Sequence, residues 1–398
     1  MNVAILGGKL QGVEVAYLAK KAGWHTVVVD MDPQAPARGI CDEFLSFDLM
    51  EREPLLSLMG QVDLVLPAIE DKDVLNFAEE CAGRAGVRFV YDRDAYLLSS
   101  SKIRSDSLFE QLGIAAPQPW PLCDFPITVK PSGESGSKGV HLFHTSSQFE
   151  QWLLTVPHPE KWVKQEFLQG PSYSIEVIGS RGHYRTFQIT ELEMDAGYDC
   201  KRVLAPALLS PELEIEFHNI ATALARTLKL NGIMDVEVIL HGGKLKVLEI
   251  DARIPSQTPT AVYHASGMNL IEMLADNGAV ERPPQGAVKE KSSVVFEHIL
   301  VQQSSLAVCG EHIMADAGPL SLHCDFFGAD EALTNYTTQS ESWVATLINR
   351  GETLTEAREK RDRVITTVCN ACGIDRCIDM PPVLPVEAHI LAPLECVG

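Results

Sequence analysis

The stretch Asp235–Thr260, DVEVILHGGKLKVLEIDARIPSQTPT, decides how the rest of the chain is read. Asp235–Leu240 alternates and is rich in β-branched residues, His241-Gly242-Gly243 supplies a turn, and Leu245–Ile250 alternates again. This is the pattern of a β-hairpin. Side chains alternate faces along a strand, so Glu249 and Asp251 share a face, and Glu237 is placed to join them from the partner strand. A solvated polar face explains acids flanked by Val, Leu and Ile poorly. Three carboxylates on one face repel unless a cation sits between them. Hard oxygen ligands suit Mg²⁺, which takes one or two carboxylates plus substrate phosphates. The hairpin therefore predicts a magnesium site at Glu237, Glu249 and Asp251.

Working outward, 398 residues suffice for two or three domains with proper cores. A hydrophobic content of 45% with 22% charged residues is ordinary for a globular protein. No apolar run is long enough to span a bilayer, and MNVAILGG reads as a buried strand, not as a signal peptide. The expectation is a cytoplasmic protein. The formal net charge of −21 opposes nonspecific binding to nucleic acid or anionic membrane. A bound polyphosphate would need a few well-placed Lys and Arg to reverse that field. Cys369-x-x-Cys372 with Cys377, and Cys396 as a fourth ligand, could form a zinc site, but reduced thiols near a helix end in a reducing compartment are the stronger expectation.

The N-terminal region opens as a βαβ unit: strand Val3–Leu6, glycine turn Gly7–Gly12, helix Val13–Ala22, strand Thr26–Asp30. Lys9 replaces the middle glycine of the dinucleotide fingerprint, which argues against a dehydrogenase although Asp30 lies where a ribose-binding acid would. The strand Val62–Pro67 ends at Glu70 and Asp71, placed either to hold an ammonium group or to cap the helix Val74–Ala82. Val87–Tyr91 closes this domain near residue 95. A helix over Ser99–Gly113 follows. Next come a strand at Ile127–Lys130, the loop Pro131–Gly139 and a strand at Val140–Phe143. That loop lacks the Walker spacing, but its free N–H groups suit a triphosphate, and Lys130 is costly to bury without an anion. Helix Ser147–Leu154 and strands Trp162–Leu168 and Tyr173–Ile178 complete a small α+β lobe. Further on, helices are expected at Ser210–Lys229 and Tyr263–Ala275, strands at Ser293–Leu300 and Ser342–Ile348, and a last helix begins at the capping box Thr353-x-x-Glu356.

A glycine loop with an apolar-strand lysine, followed by a hairpin of three acids, resembles the ATP-grasp superfamily over roughly residues 1–285. The resemblance implies α/β and α+β architecture. A Rossmann-like pre-ATP-grasp domain would span 1–95, a linker helix and lid lobe 96–182, and a catalytic domain 183–398 with an extension after about 285. It implies that Lys102 and Lys130 bind ATP phosphates together with Ser135, Ser137 and Gly139 of the loop. Glu166, Phe167 and Leu168 would form the hinge that meets adenine. Glu237, Glu249 and Asp251 would hold Mg²⁺, and Arg253 would stabilise charge on the transferred phosphate, unless it simply pairs with Glu249 or Asp251. The sequence departs from the family pattern at Ser172, where a ribose-contacting acid is usual, at Gln165 before the hinge, and at Ser101 before Lys102.

Within the superfamily, GGKLQG (Gly7–Gly12), AGYDC (Ala196–Cys200), GIMDVEV (Gly232–Val238), IDARIPSQTPT (Ile250–Thr260) and SGMNLIEML (Ser266–Leu274) are similar to the amide ligases of pyrrolysine biosynthesis. Such an enzyme joins the carboxylate of (3R)-3-methyl-D-ornithine to the ε-amine of L-lysine through an acylphosphate. Its cofactors are ATP and Mg²⁺ and its partners are small amino acids. Another ATP-grasp carboxylate–amine ligase and a biotin-carboxylase-like enzyme are the alternatives. The resemblance implies that Glu176 and Asp235 face substrate ammonium groups, with an ordinary strand salt bridge as the competing role. Ser174, Ser256, Gln257 and Thr258 would meet the substrate. Glu70 and the Lys9-Leu10-Gln11 turn would receive the second amino acid, and Tyr198, Asp199 and Cys200 would line the cleft. The sequence leaves a homodimer open.

Overall fold

The structure, a computed structural model, describes residues 1–134, 139–276, 280 and 292–381. Ser135 and Ser137, expected to touch ATP, lie outside the described residues, as does Cys396.

The first domain is a five-stranded parallel sheet. Its strands are β1 (Asn2–Leu6), β2 (His25–Val29), β3 (Glu43–Leu45), β4 (Leu64–Pro67) and β5 (Arg88–Phe89), in the order β3-β2-β1-β4-β5. Helices α1 (Leu10–Lys21), α2 (Arg52–Met59) and α3 (Lys72–Ala85) connect them. Strands buried on both faces read as continuous apolar runs, which is why Val3–Leu6 and Val27–Val29 carry no alternation. Gly7 follows β1 at φ +103°, where a Cβ would lie 2.5 Å from the Ala68 carbonyl oxygen. Asp30 accepts the Gly8 N–H at 2.7 Å, so this acid ties down the turn. Asp71 caps α3 by accepting the N–H groups of Asp73 and Val74.

The expected helix Ser99–Gly113 divides in two. Helix α4 (Arg93–Ser99) is capped by Asp92, and α5 (Lys102–Leu112) stops at Gly113 in the left-handed conformation. The break sets Lys102 at the first turn of α5, facing the hairpin.

The lid is a three-stranded sheet, β6 (Ile127–Pro131), β7 (His141–Phe143) and β8 (Trp162–Glu166) in the order β7-β6-β8, with α6 (Ser146–Leu153) packed on it. Phe149 is fully buried there among Trp120, Phe125, Phe143 and Trp152. The strand expected last in this lobe is placed elsewhere. β9 (Ser172–Ser180) pairs with the hairpin, because its inner residues Ile175 and Val177 pack into the apolar layer of the large sheet.

That large sheet has twelve strands. After β9 come β10 (His183–Thr186), β11 (Thr190–Met194), β12 (Cys200–Ala205), helix α7 (Pro211–Leu228), and the hairpin β13 (Gly232–His241) and β14 (Lys244–Asp251). Helices α8 (Thr258–Ser266) and α9 (Leu270–Ala275) follow. The segment after 285 does not form a separate body. Its β15 (Ser293–Gln302), β16 (Ser305–Val308), β17 (Ser321–Phe326), β18 (Ala329–Thr334), β19 (Ser342–Gly351) and β20 (Arg376–Ile378) extend the same sheet through β12–β15 pairing. Two helices belong to it, α10 (His312–Ala315) and α11 (Leu354–Cys372), the latter capped by Thr353, whose Oγ1 accepts the Glu356 N–H.

Glu297, fully buried on β15, accepts from Arg202 at 2.9 and 3.0 Å and from Arg361 at 2.6 Å. Asp379 in turn accepts from Arg202 and Lys201. Buried charges persist only when paired this completely, and the network ties the C-terminal segment to β12. Cys369 and Cys372 pack against the neighbouring apolar cluster, and burial raises the pKa of both and of Cys377. Among the described residues, Asp195, Asp199 and His312 bring possible ligand atoms within 4.8 Å of one another, a group that contains no thiol. None of the described helices is long and apolar enough to cross a membrane.

Candidate active site

The register of the hairpin puts Asp235 opposite Asp251 and Glu237 opposite Glu249. On its other side β13 pairs with β9, placing Glu176 beside Asp235 and Ser174 beside Glu237. One sheet face thus carries five acids. The second strand does not alternate strictly. A bulge at Leu248 restores Val247 and Leu245 to the core while Glu249 and Asp251 face the cleft. The Leu248 carbonyl, freed from the ladder, lies 3.5 Å from Lys130 Nζ.

The face floors a cleft of about 310 Å³ between the hairpin and the lid. Of the expected site residues, Lys102, Lys130, Glu166, Phe167, Leu168, Ser174, Asp235, Glu237, Glu249, Asp251, Arg253, Ser256 and Thr258 line it. So do Gln257, Tyr198, Asp199 and Cys200. Glu176 lies fully buried beneath Asp235, outside the lining. Gly139 sits at the lid at φ +71°, packed on Pro131. Leu10 and Gln11 open α1 outside the cleft lining, and Gln11 Nε2 donates to Glu70 at 2.9 Å.

Lys102 donates to Glu249 at 3.0 Å and to the Glu134 carbonyl at 2.6 Å, joining floor to lid. Its burial favours the neutral amine, but Glu249, Asp251 and Glu237 outweigh that and raise its pKa. Lys130 is fully enclosed, and burial lowers its pKa against the pull of Glu249. Burial pushes Glu237 up to about 7 and Asp251 up to about 6, with the neighbouring carboxylates adding to each. Asp235 is raised further for the same reasons. Glu249 alone is lowered despite burial, because Lys102 and Lys130 face it. Glu176 is pushed up to about 7 by burial, which the Thr258 hydroxyl only partly offsets. Glu237 and Asp251, pushed toward protonation by burial and then by their carboxylate neighbours, and Glu249, held ionised by two lysines, form a donor set that a divalent cation would relieve, so the three fit Mg²⁺.

Arg253 Nε donates to Glu70 at 2.9 Å and its Nη2 to Asp251 at 3.1 Å. It pairs with Asp251, one of the two partners considered, and reaches across to the first domain through Glu70. Glu70 is therefore not a helix cap, a role that Asp71 takes. At the other end of the cleft, Glu166 is held by Lys246 at 2.5 Å and by the Gln118 N–H at 3.1 Å, which fixes the hinge backbone. Sequence reasoning missed two half-buried acids. Asp106, four residues after Lys102, is pushed up to about 6 by burial. Glu311, from the segment after 285, lines the cleft beside Ser256 and Gln257. For Asp106 the i,i+4 spacing on a lysine-bearing helix was an available signal. Glu311 lies in a stretch without periodicity and gave none.

An ATP-grasp domain model matches residues 99–257, and a PylC-like N-terminal domain model matches residues 3–90. The 3-methyl-D-ornithine–L-lysine ligase of Methanosarcina barkeri is 36% identical over 378 residues, covering 94% of this chain and 99% of that protein. The ligase of the same name from Methanosarcina mazei is 33% identical, covering 94% of this chain and 96% of its own length. The chain belongs to the 3-methyl-D-ornithine–L-lysine ligase family. It is accordingly an ATP-dependent carboxylate–amine ligase of the ATP-grasp fold. Among solved structures, the biotin carboxylase domain of Hydrogenobacter thermophilus 2-oxoglutarate carboxylase, in complex with MgADP and bicarbonate, shares the fold. It has a TM-score of 0.70 at 13% identity, over 92% of this chain and 89% of that one. An L-amino acid ligase from Bacillus licheniformis aligns at a TM-score of 0.64 and 16% identity, over 91% of this chain and 97% of that one. The fold is shared with carboxylases, so the distinction from them rests on the family match and the cleft's acids.

Proposed function

We propose that this ligase joins the carboxylate of 3-methyl-D-ornithine to the ε-amine of L-lysine at the expense of ATP. The observation that carries the reading is one cleft with two lysines over a floor of converging carboxylates, continued by Arg253 and further acids toward Ser256–Thr258. A carboxylase of the same fold handles bicarbonate and has no need of extra buried acids, whereas a diamino acid brings two ammonium groups.

ATP lies with adenine at the backbone of Glu166, Phe167 and Leu168 and its phosphates under Lys102, Lys130 and the lid strand ending at Pro131. Glu237, Glu249 and Asp251 would hold Mg²⁺, which would neutralise phosphate charge. The donor carboxylate oxygen attacks the γ-phosphorus. An O–P bond forms, the β,γ-bridging P–O bond breaks, and its electron pair leaves on ADP. The unprotonated ε-amine of lysine then attacks the acyl carbon. A C–N bond forms, the acyl C–O bond breaks, phosphate departs and the nitrogen loses a proton. Arg253 exchanges Glu70 and Asp251 for the transferred phosphate and stabilises its charge. Asp235, with Glu176 behind it, receives the donor's α-ammonium, and Ser174, Ser256 and Thr258 orient the donor. Glu70, Gln11 and Leu10 form the approach for lysine from the first domain. The closed lid keeps water from the acylphosphate.

Purified protein with ATP, Mg²⁺, L-lysine and D-ornithine as a surrogate donor should release ADP together with an amide of ornithine and lysine, identified by mass spectrometry. ADP release that ignores both amino acids would sink the assignment.

A further inference from the structure

Glu14 lies in the first domain, one turn into α1, and is only 4% exposed. Its Oε1 accepts the Thr260 N–H at 2.6 Å. Burial pushes its carboxyl up to about 8, and contacts with Thr260 and the Gln257 backbone N–H only partly offset that. No step of the proposed reaction uses this acid. An enclosed carboxylate is costly unless its hydrogen bonds do something for the fold or the site, and here they run to the segment that continues the cleft beyond Arg253.

Thr260 belongs to the first turn of α8, where N–H groups have no partner within the helix. Gln257 holds the N-cap position, but its side chain caps nothing. Its carbonyl accepts the Ala261 N–H at 3.1 Å. Pro259 has no N–H. The Thr258 N–H turns back to the Ser256 carbonyl at 2.8 Å, closing a γ-turn with Gln257 at φ +70° and ψ −58°. That form of γ-turn is rare and strained, and it persists only where the surroundings over-determine it. The Thr260 N–H remains, and Glu14 supplies its acceptor from another domain. Two more contacts hold this region against α1. Tyr17 Oη lies 2.5 Å from His264 Nε2, and Asn269 Nδ2 donates to the Leu18 carbonyl at 2.8 Å. Gln257 and Thr258 line the cleft and are each less than a tenth exposed, whereas Thr260 is fully buried outside the lining.

We propose that Glu14 is a positioning residue for the ligase reaction, holding the strained Ser256-Gln257-Thr258 turn in the form that presents these side chains to the donor. This rests on the function proposed above. Glu14 touches no substrate and acts through the Thr260 N–H. Gln11, three residues earlier on α1, meets Glu70 and through it Arg253. One helix of the first domain thus ties down both Arg253 and the donor-facing turn. Without the Glu14 acceptor the turn relaxes toward an unstrained backbone, which withdraws Gln257 and Thr258 from the donor and leaves the nucleotide end of the cleft in place.

The test compares Glu14→Met, which has similar bulk and no acceptor, with Glu14→Gln, which keeps an oxygen for the Thr260 N–H. Amide formation from D-ornithine and L-lysine gives the kinetics. Hydrogen exchange across residues 256–262, followed by mass spectrometry, reads the turn directly. Glu14→Met should raise the KM for ornithine about tenfold or more, with the KM values for ATP and lysine within about twofold. Exchange across 256–262 should quicken. Glu14→Gln should restore the ornithine KM to within about threefold of native and restore the protection. Glu14→Asp withdraws the acceptor by one methylene and should show the same selective rise in KM, so the test stands if Glu14→Met does not fold. KM values that rise together for all three substrates, or a lower melting temperature with an unchanged ornithine KM, would reduce Glu14 to a structural role and overturn the proposal. Glu14→Gln as damaging as Glu14→Met would also overturn it. A native enzyme that forms no amide from any diamino acid overturns the function itself, whereas unchanged exchange in Glu14→Met overturns the role of Glu14 alone.

Discussion

At the scale of single residues, the carboxylates of the hairpin were legible because a strand imposes a period of two and apolar neighbours expose any acid that breaks the rule. Glu237, Glu249 and Asp251 needed nothing else. Their individual electrostatics were not legible. Glu249 is the only one of the three held down, and Lys102 and Lys130 do this from elements 147 and 119 residues away in sequence. This makes Glu249 the pivot between metal, phosphate lysines and floor. Glu249→Ala should lower kcat by roughly 10³-fold or more, the scale of removing a preorganised electrostatic group at a reacting phosphate. Circular dichroism should show an intact fold. Retained turnover in that variant would refute the metal-site argument. Arg253 is the counter-example, since the sequence left its partner open and only the structure shows it divided between Asp251 and Glu70.

At the scale of elements, most helices and strands follow from local signals. Asp71, Asp92, Ser210 and Thr353 cap helices at the places where side-chain oxygens can accept orphan N–H groups. Two element-level features escaped. The bulge at Leu248 offsets the alternation of β14, and its cause is the need to bury Val247 while keeping Glu249 on the cleft. The second is the hinge. Gly170, at φ +154°, brings the chain so close to β13 that a Cβ would lie 2.1 Å from the Leu240 carbonyl oxygen. Gly170→Ala must push the hinge off the hairpin, and overpacking of this kind costs about 1–3 kcal/mol. The KM for ATP should rise several-fold with little change for lysine, measured by ADP release. An unaltered KM for ATP would separate the hinge from adenine binding.

At the scale of the molecule, three distant segments meet at Tyr17. Its hydroxyl donates to Glu331 at 2.7 Å and lies 2.5 Å from His264 Nε2, joining α1, α8 and β18. Burial is the main reason the His264 pKa falls to about 4. The folded state therefore keeps the ring neutral while the unfolded chain protonates it near 6.5. Stability contributed in this way is complete above about pH 6.5 and is lost as pH falls toward 4. The difference corresponds to roughly 3 kcal/mol, at about 1.4 kcal/mol per pH unit. His264→Asn should flatten the decline of melting temperature between pH 6.5 and 4. An equally steep decline in the variant would assign the acid sensitivity to other groups.

The sequence by itself determined the hairpin and its three acids, the βαβ opening, the lid strand that carries Lys130, and the order that identifies the superfamily. Each depends on periodicity or on residue types within a few positions of one another. Only the tertiary structure decided that β9 belongs to the floor instead of the lid, that Glu70 reaches Arg253, and that Glu311 enters the cleft. Those facts depend on contacts between elements far apart in the chain. Such contacts form because burying apolar faces fixes where strands pair, and no local pattern encodes which distant side chain then arrives at the open end of a site.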